Sequence, residues 1–206
     1  LCQPLLDALD EIGYVTPTPI QAQAIPYLIE GRDMLGCAQT GTGKTAAFAL
    51  PILDAMAEDP WSGPRKIRAL MMCPTRELAS QIHDNIEQYA RHLDIRSMVM
   101  FGGVSQRPQE KNLRRGVDVL AATPGRRLDM IGQRHVDLSH VQFLVLDEAD
   151  RMLDMGFRDD MEEILGQVQG EYQILFFSAT MNRNVERLIG KFGKNPEKVE
   201  VAKKAL

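Results

Sequence analysis

Seven short apolar runs punctuate the chain, at residues 34–37, 69–73, 96–100, 117–122, 142–146, 172–177 and 198–201. They are rich in Val, Ile, Leu, Met and Phe, and as a set they do not alternate polar with apolar residues. A strand with one wet face must alternate, so runs of this kind belong to strands buried on both sides. Between them lie amphipathic stretches of helical period at residues 44–56, 75–91, 106–115, 124–131, 158–168 and 184–192. Strand–helix alternation implies a mostly parallel sheet of about seven strands with helices on both faces, an α/β fold.

Two further helices precede the first strand. Leu5, Leu6, Leu9 and Ile12 share one face, and Gly13 terminates it. Thr18-Pro19 then reads as N-cap and first helical residue, with Ile20, Ala24 and Leu28 on the buried face and Gly31 at the end. The stretch 58–66, with Pro60, Gly63 and Pro64, is a surface loop. No linker is visible, so residues 1–206 are expected to form one domain, 1–31 as leading helices and 32–206 as the core. A chain of this size buries roughly 70% of its unfolded surface and needs no covalent staple.

Composition narrows the class further. Three cysteines (Cys2, Cys37 and Cys73) with no CxxC pair argue against a disulfide framework or zinc site and for a reducing, cytoplasmic setting. Asp54 interrupts the longest apolar candidate, residues 46–57, so no bilayer span is expected. Residues 1–12 carry Asp7, Asp10 and Glu11 without a basic residue, unlike a secretory signal. Net charge is −4, so nucleic-acid binding would rest on a local patch rather than a basic body. His83, His92, His135 and His140 lack ligand spacing, and the acids at 159, 160, 162 and 163 suit a solvated first helical turn. Met71, Met72, Met98 and Met100 read as strand core, and Met152, Leu153, Met155 and Phe157 as half-buried helix residues.

The segment Ala38-Gln39-Thr40-Gly41-Thr42-Gly43-Lys44-Thr45 follows the first strand and opens a helix. Glycines let backbone N–H groups turn inward around phosphate oxygens, and the helix N-terminus adds positive potential. Lys44 suits the β- and γ-phosphates and the Thr45 hydroxyl suits Mg²⁺. The general pattern starts with Gly where this chain has Ala38; a plain glycine turn before a helix is the bland alternative. The run 143–146 ends in Asp147-Glu148, which places two carboxylates at the C-terminal edge of a buried strand, where α/β ligands bind. Asp147 is expected to hold Mg²⁺, directly or through water, and Glu148 to deprotonate the attacking water.

With Asp147-Glu148-Ala149-Asp150 in place, the chain resembles the N-terminal RecA-like domain of the DEAD-box ATP-dependent RNA helicases over nearly its whole length. Tyr14 and Thr16-Pro17-Thr18-Pro19-Ile20-Gln21 are similar to that family's Q motif, and Pro74-Thr75-Arg76-Glu77-Leu78-Ala79 to motif Ia. Gly102-Gly103 is similar to the GG motif, Thr123-Pro124-Gly125-Arg126 to motif Ib, and Ser178-Ala179-Thr180 to motif III. The wording of 147–157 resembles bacterial members.

A Gln amide offers a donor and an acceptor, matching adenine N6 and N7, so Gln21 is expected to favour ATP over GTP. Tyr14 is suited to stack on the adenine, and Thr16 completes that group. Taken alone, Gln21 is equally a polar residue on a helix face. Thr75 and Thr123 each sit near a helix start after a strand, where free N–H groups bind phosphate and Arg76 and Arg126 reinforce them; taken alone, both are plain helix caps.

The resemblance implies that these segments, with Gly102 and Gly103, grip the backbone of single-stranded RNA without reading sequence. It also implies that the Ser178 and Thr180 hydroxyls bond the Asp147–Asp150 segment and couple nucleotide to RNA. It further implies a monomer with ATP and Mg²⁺ as ligands, and a separate C-terminal RecA-like domain, for which no length remains after Thr180. Without that domain, slow hydrolysis and no unwinding are expected.

Overall fold

The computed structural model describes residues 1–38, 43–101, 107–124 and 136–200, with backbone alone for 107–110. Two helices lead, α1 (Gln3–Ile12) and α2 (Pro19–Ile29). There follow β1 (Met34–Cys37), α3 (Lys44–Glu58), β2 (Ala69–Met72), α4 (Arg76–Tyr89), β3 (Ser97–Met100) and α5 (Arg107–Arg115). The chain continues as β4 (Val119–Ala122), β5 (Phe143–Leu146), α6 (Ala149–Asp154), α7 (Arg158–Leu165), β6 (Gln173–Ser178), α8 (Arg183–Phe192) and β7 (Glu197–Glu200). All seven apolar runs form strands, shortened or shifted by a residue or two at their ends. The helix expected over 124–131 falls almost wholly on residues outside those described.

The strands form one sheet in the order β3-β4-β2-β5-β6-β1-β7, every neighbouring pair parallel. Alternate residues of a strand feed opposite cores. Met71, Val145, Leu175 and Phe177 join the layer under α1–α4. Leu70, Met72, Leu144, Leu146, Ile174 and Phe176 join the layer under α5–α8. In β1, β2, β4, β5 and β6 both faces are dry, so both registers must be apolar and the two-residue period is lost. The edge strands β3 and β7 depart from that expectation: each has a wetter face and alternates, with Lys198 and Glu200 exposed on either side of buried Val199.

In α1 the buried positions are Leu5 and Ala8, while Leu6 is 40% exposed. The expected face is therefore rotated: Leu5, Ala8, Leu9 and Ile12 make the stripe, and Leu6 leaves it. The backbone N–H of Cys2 donates to Asp54 Oδ1 at 2.6 Å, which ties the start of α1 to α3. Met155 is 47% exposed rather than half-buried, because α6 ends at Asp154.

The strand order divides the C-terminal edge of the sheet. The β5-β6-β1 half collects Asp147, Ser178 and the segment after Cys37, and the β3-β4-β2 half collects Phe101, Thr123 and Thr75. Residues far apart in sequence thus meet along one rim, the usual place for ligands in such sheets.

Candidate functional site

Asp147 is the first residue beyond β5, and its N–H donates to Met72 O at 2.8 Å, extending the ladder past the strand. Its side chain is fully buried, and Lys44, opening α3, places Nζ 2.8 Å from Asp147 Oδ1. Burial raises the carboxyl's pKa above the usual aspartate range; the Lys44 charge opposes this without cancelling it. Apart from that ion pair, neither carboxylate oxygen finds a hydrogen-bond partner among the described residues. A buried acceptor set with open lone pairs is costly unless a cation completes it. With Thr45 beside Lys44 on the first turn of α3, these oxygens suit a hard divalent ion.

Glu148 stands in the left-handed region, φ 52° and ψ 50°, immediately before α6. Only Asn195 among the other described non-glycine residues shares a positive φ. A glutamate there costs about 1–2 kcal/mol, held by the Asp147–Met72 bond on one side and buried Ala149 on the other. Asp150 Oδ2 accepts from the Thr180 N–H at 3.2 Å and from Thr180 Oγ1 at 3.0 Å. The Ser178 hydroxyl does not join them: it donates to Thr180 O at 2.6 Å, so it braces the turn rather than bonding the Asp147–Asp150 segment.

At the neighbouring end of α2, Gln21 is buried, with its Oε1 accepting from the Thr18 N–H at 3.0 Å and its Nε2 donating to Gly43 O at 3.1 Å. An amide oxygen has a second lone pair and the nitrogen a second hydrogen, so Gln21 keeps one donor and one acceptor for a base. Gly43 has φ +81°, and a Cβ there would lie 2.7 Å from Gln21 Nε2 and 2.8 Å from Thr18 Oγ1. That contact explains the glycine on steric as well as conformational grounds. Thr18 Oγ1 is buried without a hydrogen-bond partner among the described residues. Next to Gln21 a cavity of about 380 Å³ is lined by Leu9, Tyr14, Thr16, Ile25 and Leu50 among others. Tyr14 is 43% exposed and shares a 3.2 Å hydroxyl contact with Tyr89, an edge-on ring pair that steers its face. Ala38 is buried at the end of β1, and Gln39, Thr40, Gly41 and Thr42 lie outside the described residues.

On the other half of the rim, Thr75 caps α4, its side chain accepting from the Leu78 N–H at 3.2 Å. Arg76 follows, exposed, with its guanidinium carbon 5.6 Å from the centre of the Phe101 ring. Thr123 is buried and its N–H donates to Met100 O at 3.2 Å, with Pro124 buried beside it. Cys73 Sγ contacts Thr75 O at 3.6 Å and Ala122 O at 3.8 Å, joining the ends of β2 and β4. Burial and then the Asp147 charge push its thiol up to about 12, so it stays protonated and structural. Pro74 is buried between these groups, whereas Gly102, Gly103, Gly125 and Arg126 lie outside the described residues.

The family described as DEAD/DEAH box helicase matches residues 18–188. The chain belongs to that family. It is 43% identical over 199 residues to the ATP-dependent RNA helicase DeaD of Escherichia coli strain K12, covering 96% of this chain and 31% of that protein. It is 42% identical over 205 residues to the pre-mRNA-processing ATP-dependent RNA helicase prp-5 of Neurospora crassa, covering 98% of this chain and 17% of that protein. Among solved structures it superposes on a hypothetical ATP-dependent RNA helicase from Sulfolobus tokodaii. That match has a TM-score of 0.88 and 33% identity, and covers 98% of this chain and 57% of the other. The chain thus spans a third or less of these two curated relatives, one bacterial and one fungal. The DEAD-box segment for which the family is named is Asp147-Glu148-Ala149-Asp150.

Within this DEAD-box fold, sequence reasoning placed the lysine and the acids but left out Thr18 and Phe101 as site neighbours. Thr18 carried the signal of a helix cap and a place in the Q-motif stretch without a role of its own, and Phe101 only that of the residue after an apolar run.

Proposed function

We propose that the chain is the first motor domain of an ATP-dependent RNA helicase, binding Mg·ATP on the β5-β6-β1 half of the rim and single-stranded RNA on the β3-β4-β2 half. The observation that carries this reading is the buried Lys44–Asp147 pair, 2.8 Å apart, at a place where three strand ends converge. On nucleotide binding Lys44 turns from Asp147 to the β- and γ-phosphates, and the main-chain amides from Gln39 to Thr45 cradle them. Thr45 and Asp147, the latter directly or through water, would hold Mg²⁺. When bound, that ion neutralises charge on the transferring phosphoryl group. Gln21 reads the adenine edge with its spare donor and acceptor, beside Tyr14 and Thr16. Glu148 accepts the proton of the attacking water.

On the RNA side, Pro74, Thr75, Arg76, Gly102, Gly103, Thr123, Pro124, Gly125 and Arg126 contact sugar and phosphate and leave the bases unread. Asp150 and Thr180 couple the two halves, with Ser178 bracing their turn. A second RecA-like domain supplies the arginine finger, worth about 10³–10⁵ in rate. This chain by itself therefore binds adenine nucleotide, hydrolyses it very slowly, and does not unwind duplexes.

Titration of a fluorescent adenine nucleotide and its guanine counterpart against the chain, with and without Mg²⁺, tests this. The expected result is adenine binding that Mg²⁺ strengthens, with guanine binding at least about tenfold weaker, the scale of one bidentate base contact. Equal binding of the two bases would remove Gln21 as the reader. No binding of either would remove the nucleotide site altogether.

A further inference from the structure

The strand β3 ends the sheet and pairs with β4 alone. In a parallel ladder successive residues present their backbone groups to opposite sides. Arg96 O accepts from the Val119 N–H at 3.1 Å and Met100 O from the Thr123 N–H at 3.2 Å, so the even-numbered residues face β4. The N–H and C=O groups of Ser97 and Val99 therefore point away from the sheet, and no strand meets them among the described residues. Along this free edge runs a cavity of about 530 Å³, walled by α4 on one side and by the end of α5 on the other. The two walls differ in chemistry. On the α4 side, half-buried Ile95 and Val99 pack against the core layer under α1–α4 and offer apolar surface. There the Ser97 hydroxyl lies 2.7 Å from His83 Nδ1, which ties the strand to the helix. On the α5 side, Arg115 ends the helix and Arg96 shares the parity of buried Met98 and Met100. Both arginines are exposed and line the cavity, and neither guanidinium has an ion-pair or hydrogen-bond partner among the described residues. Glu87, the one acid among the described lining residues, stands on the opposite wall, 3.4 Å from His83 Nε2.

We infer that this edge is a docking site for an extended segment of a partner protein that alternates acidic and apolar residues and adds to the seven-stranded sheet as an eighth strand on β3. Main-chain bonds to Ser97 and Val99 supply the pairing. The two-residue period of the added strand supplies the specificity, sending its acids to Arg96 and Arg115 and its apolar side chains to Ile95 and Val99. Charge decides the occupant. A second copy of this chain would present Ser97–Met100, which brings no acid to the two arginines. A nucleic acid would answer the arginines but leave the amide and carbonyl edge of β3 unpaired. Nothing in this edge depends on the nucleotide or RNA reading proposed above.

The test is fluorescence anisotropy of a labelled peptide of four Glu-Val repeats, titrated with the 206-residue chain. Saturable binding is expected, and Arg96→Ala and Arg115→Ala should each weaken it by up to about fivefold, the scale of one exposed ion pair. A peptide of four Lys-Val repeats should not bind, because it sets like charge against both arginines. Val99→Pro removes an outward N–H without touching the bonds to β4, a place where an edge strand tolerates proline, and should abolish binding. Methylated peptides leave the protein unaltered. Methyl groups on every valine amide strip one edge of the added strand, and methyl groups on every glutamate amide strip the other. One series should lose at least about tenfold in affinity and the other should keep that of the parent peptide. In the complex, the NMR signals of the Ser97 and Val99 amides should gain protection from hydrogen exchange.

No binding of the Glu-Val peptide, or equal binding of the Lys-Val one, would overturn the inference. Equal effects of the two methylated series would overturn it too, since a peptide held by charge alone has no preferred edge. Dimerisation of the chain by itself, abolished by Val99→Pro, would give the edge to a second copy instead. If the Arg96→Ala/Arg115→Ala double variant lost binding of a single-stranded uridine oligonucleotide and kept that of the peptide, the two arginines would belong to RNA.

Discussion

Replacing Lys44 by Met tests the electrostatics of the rim without any ligand. The stem is retained and the charge removed, which leaves Asp147 fully buried and without its ion-pair partner. Breaking a buried pair from one side costs about 3–5 kcal/mol, because the surviving charge stays desolvated. In a chain of this length that lowers the thermal midpoint by roughly 6–20 °C. The carboxyl's folded pKa already lies above its unfolded value through burial, and loss of the opposing lysine raises it further. A carboxyl with a raised folded pKa contributes its full stability below the unfolded value and loses it as pH rises through the folded one. Wild type completes that loss at its own folded pKa and the variant only at a higher one. The gap between them therefore widens between those two values, by up to about 1.4 kcal/mol per pH unit.

Urea denaturation of both proteins at pH 5 and pH 8 measures this. The expected result is a larger deficit for Lys44→Met at pH 8, and recovery of most of it in the Lys44→Met/Asp147→Asn double variant. A deficit below about 1 kcal/mol would show that the carboxylate is solvated and the pair unimportant, and a larger one equal at both pH values would show that Asp147 does not titrate between them.

Three further perturbations probe the same rim. Gly43→Ala combines a positive φ with a Cβ 2.7 Å from Gln21 Nε2, so it should cost about 1–3 kcal/mol in denaturation and weaken adenine nucleotide binding in the same titration. Glu148→Asn should raise stability by about 0.5–1 kcal/mol, because Asn tolerates the left-handed region that costs an ordinary residue about 1–2 kcal/mol, whereas Glu148→Gln should leave stability unchanged. Both Glu148 variants should abolish turnover once the second domain is joined. Asp150→Ala removes the acceptor of both Thr180 bonds and should lower stability by about 1 kcal/mol in thermal unfolding, with no effect on adenine affinity.

The strands, the lysine and the paired acids were legible from residues alone because each is local information. An apolar run such as 143–146 reports burial on both faces whatever its neighbours are, and a lysine at a helix start or a pair of acids at a strand end is read from adjacent residues. The tertiary structure decided what no local pattern encodes. Strand order set β6 between β5 and β1, and with it the meeting of Lys44 and Asp147. Packing of α1 against α4 turned Leu6 outward and Ala8 inward, since a one-residue rotation of the stripe depends on the surface opposite. The left-handed backbone of Glu148 arises where a buried strand must turn at once into a helix. The approach of Phe101 to Arg76 arises because β2 and β3 run parallel and end on the same rim. Periodicity states which side of an element is dry, but it carries no term for which distant element provides the dryness.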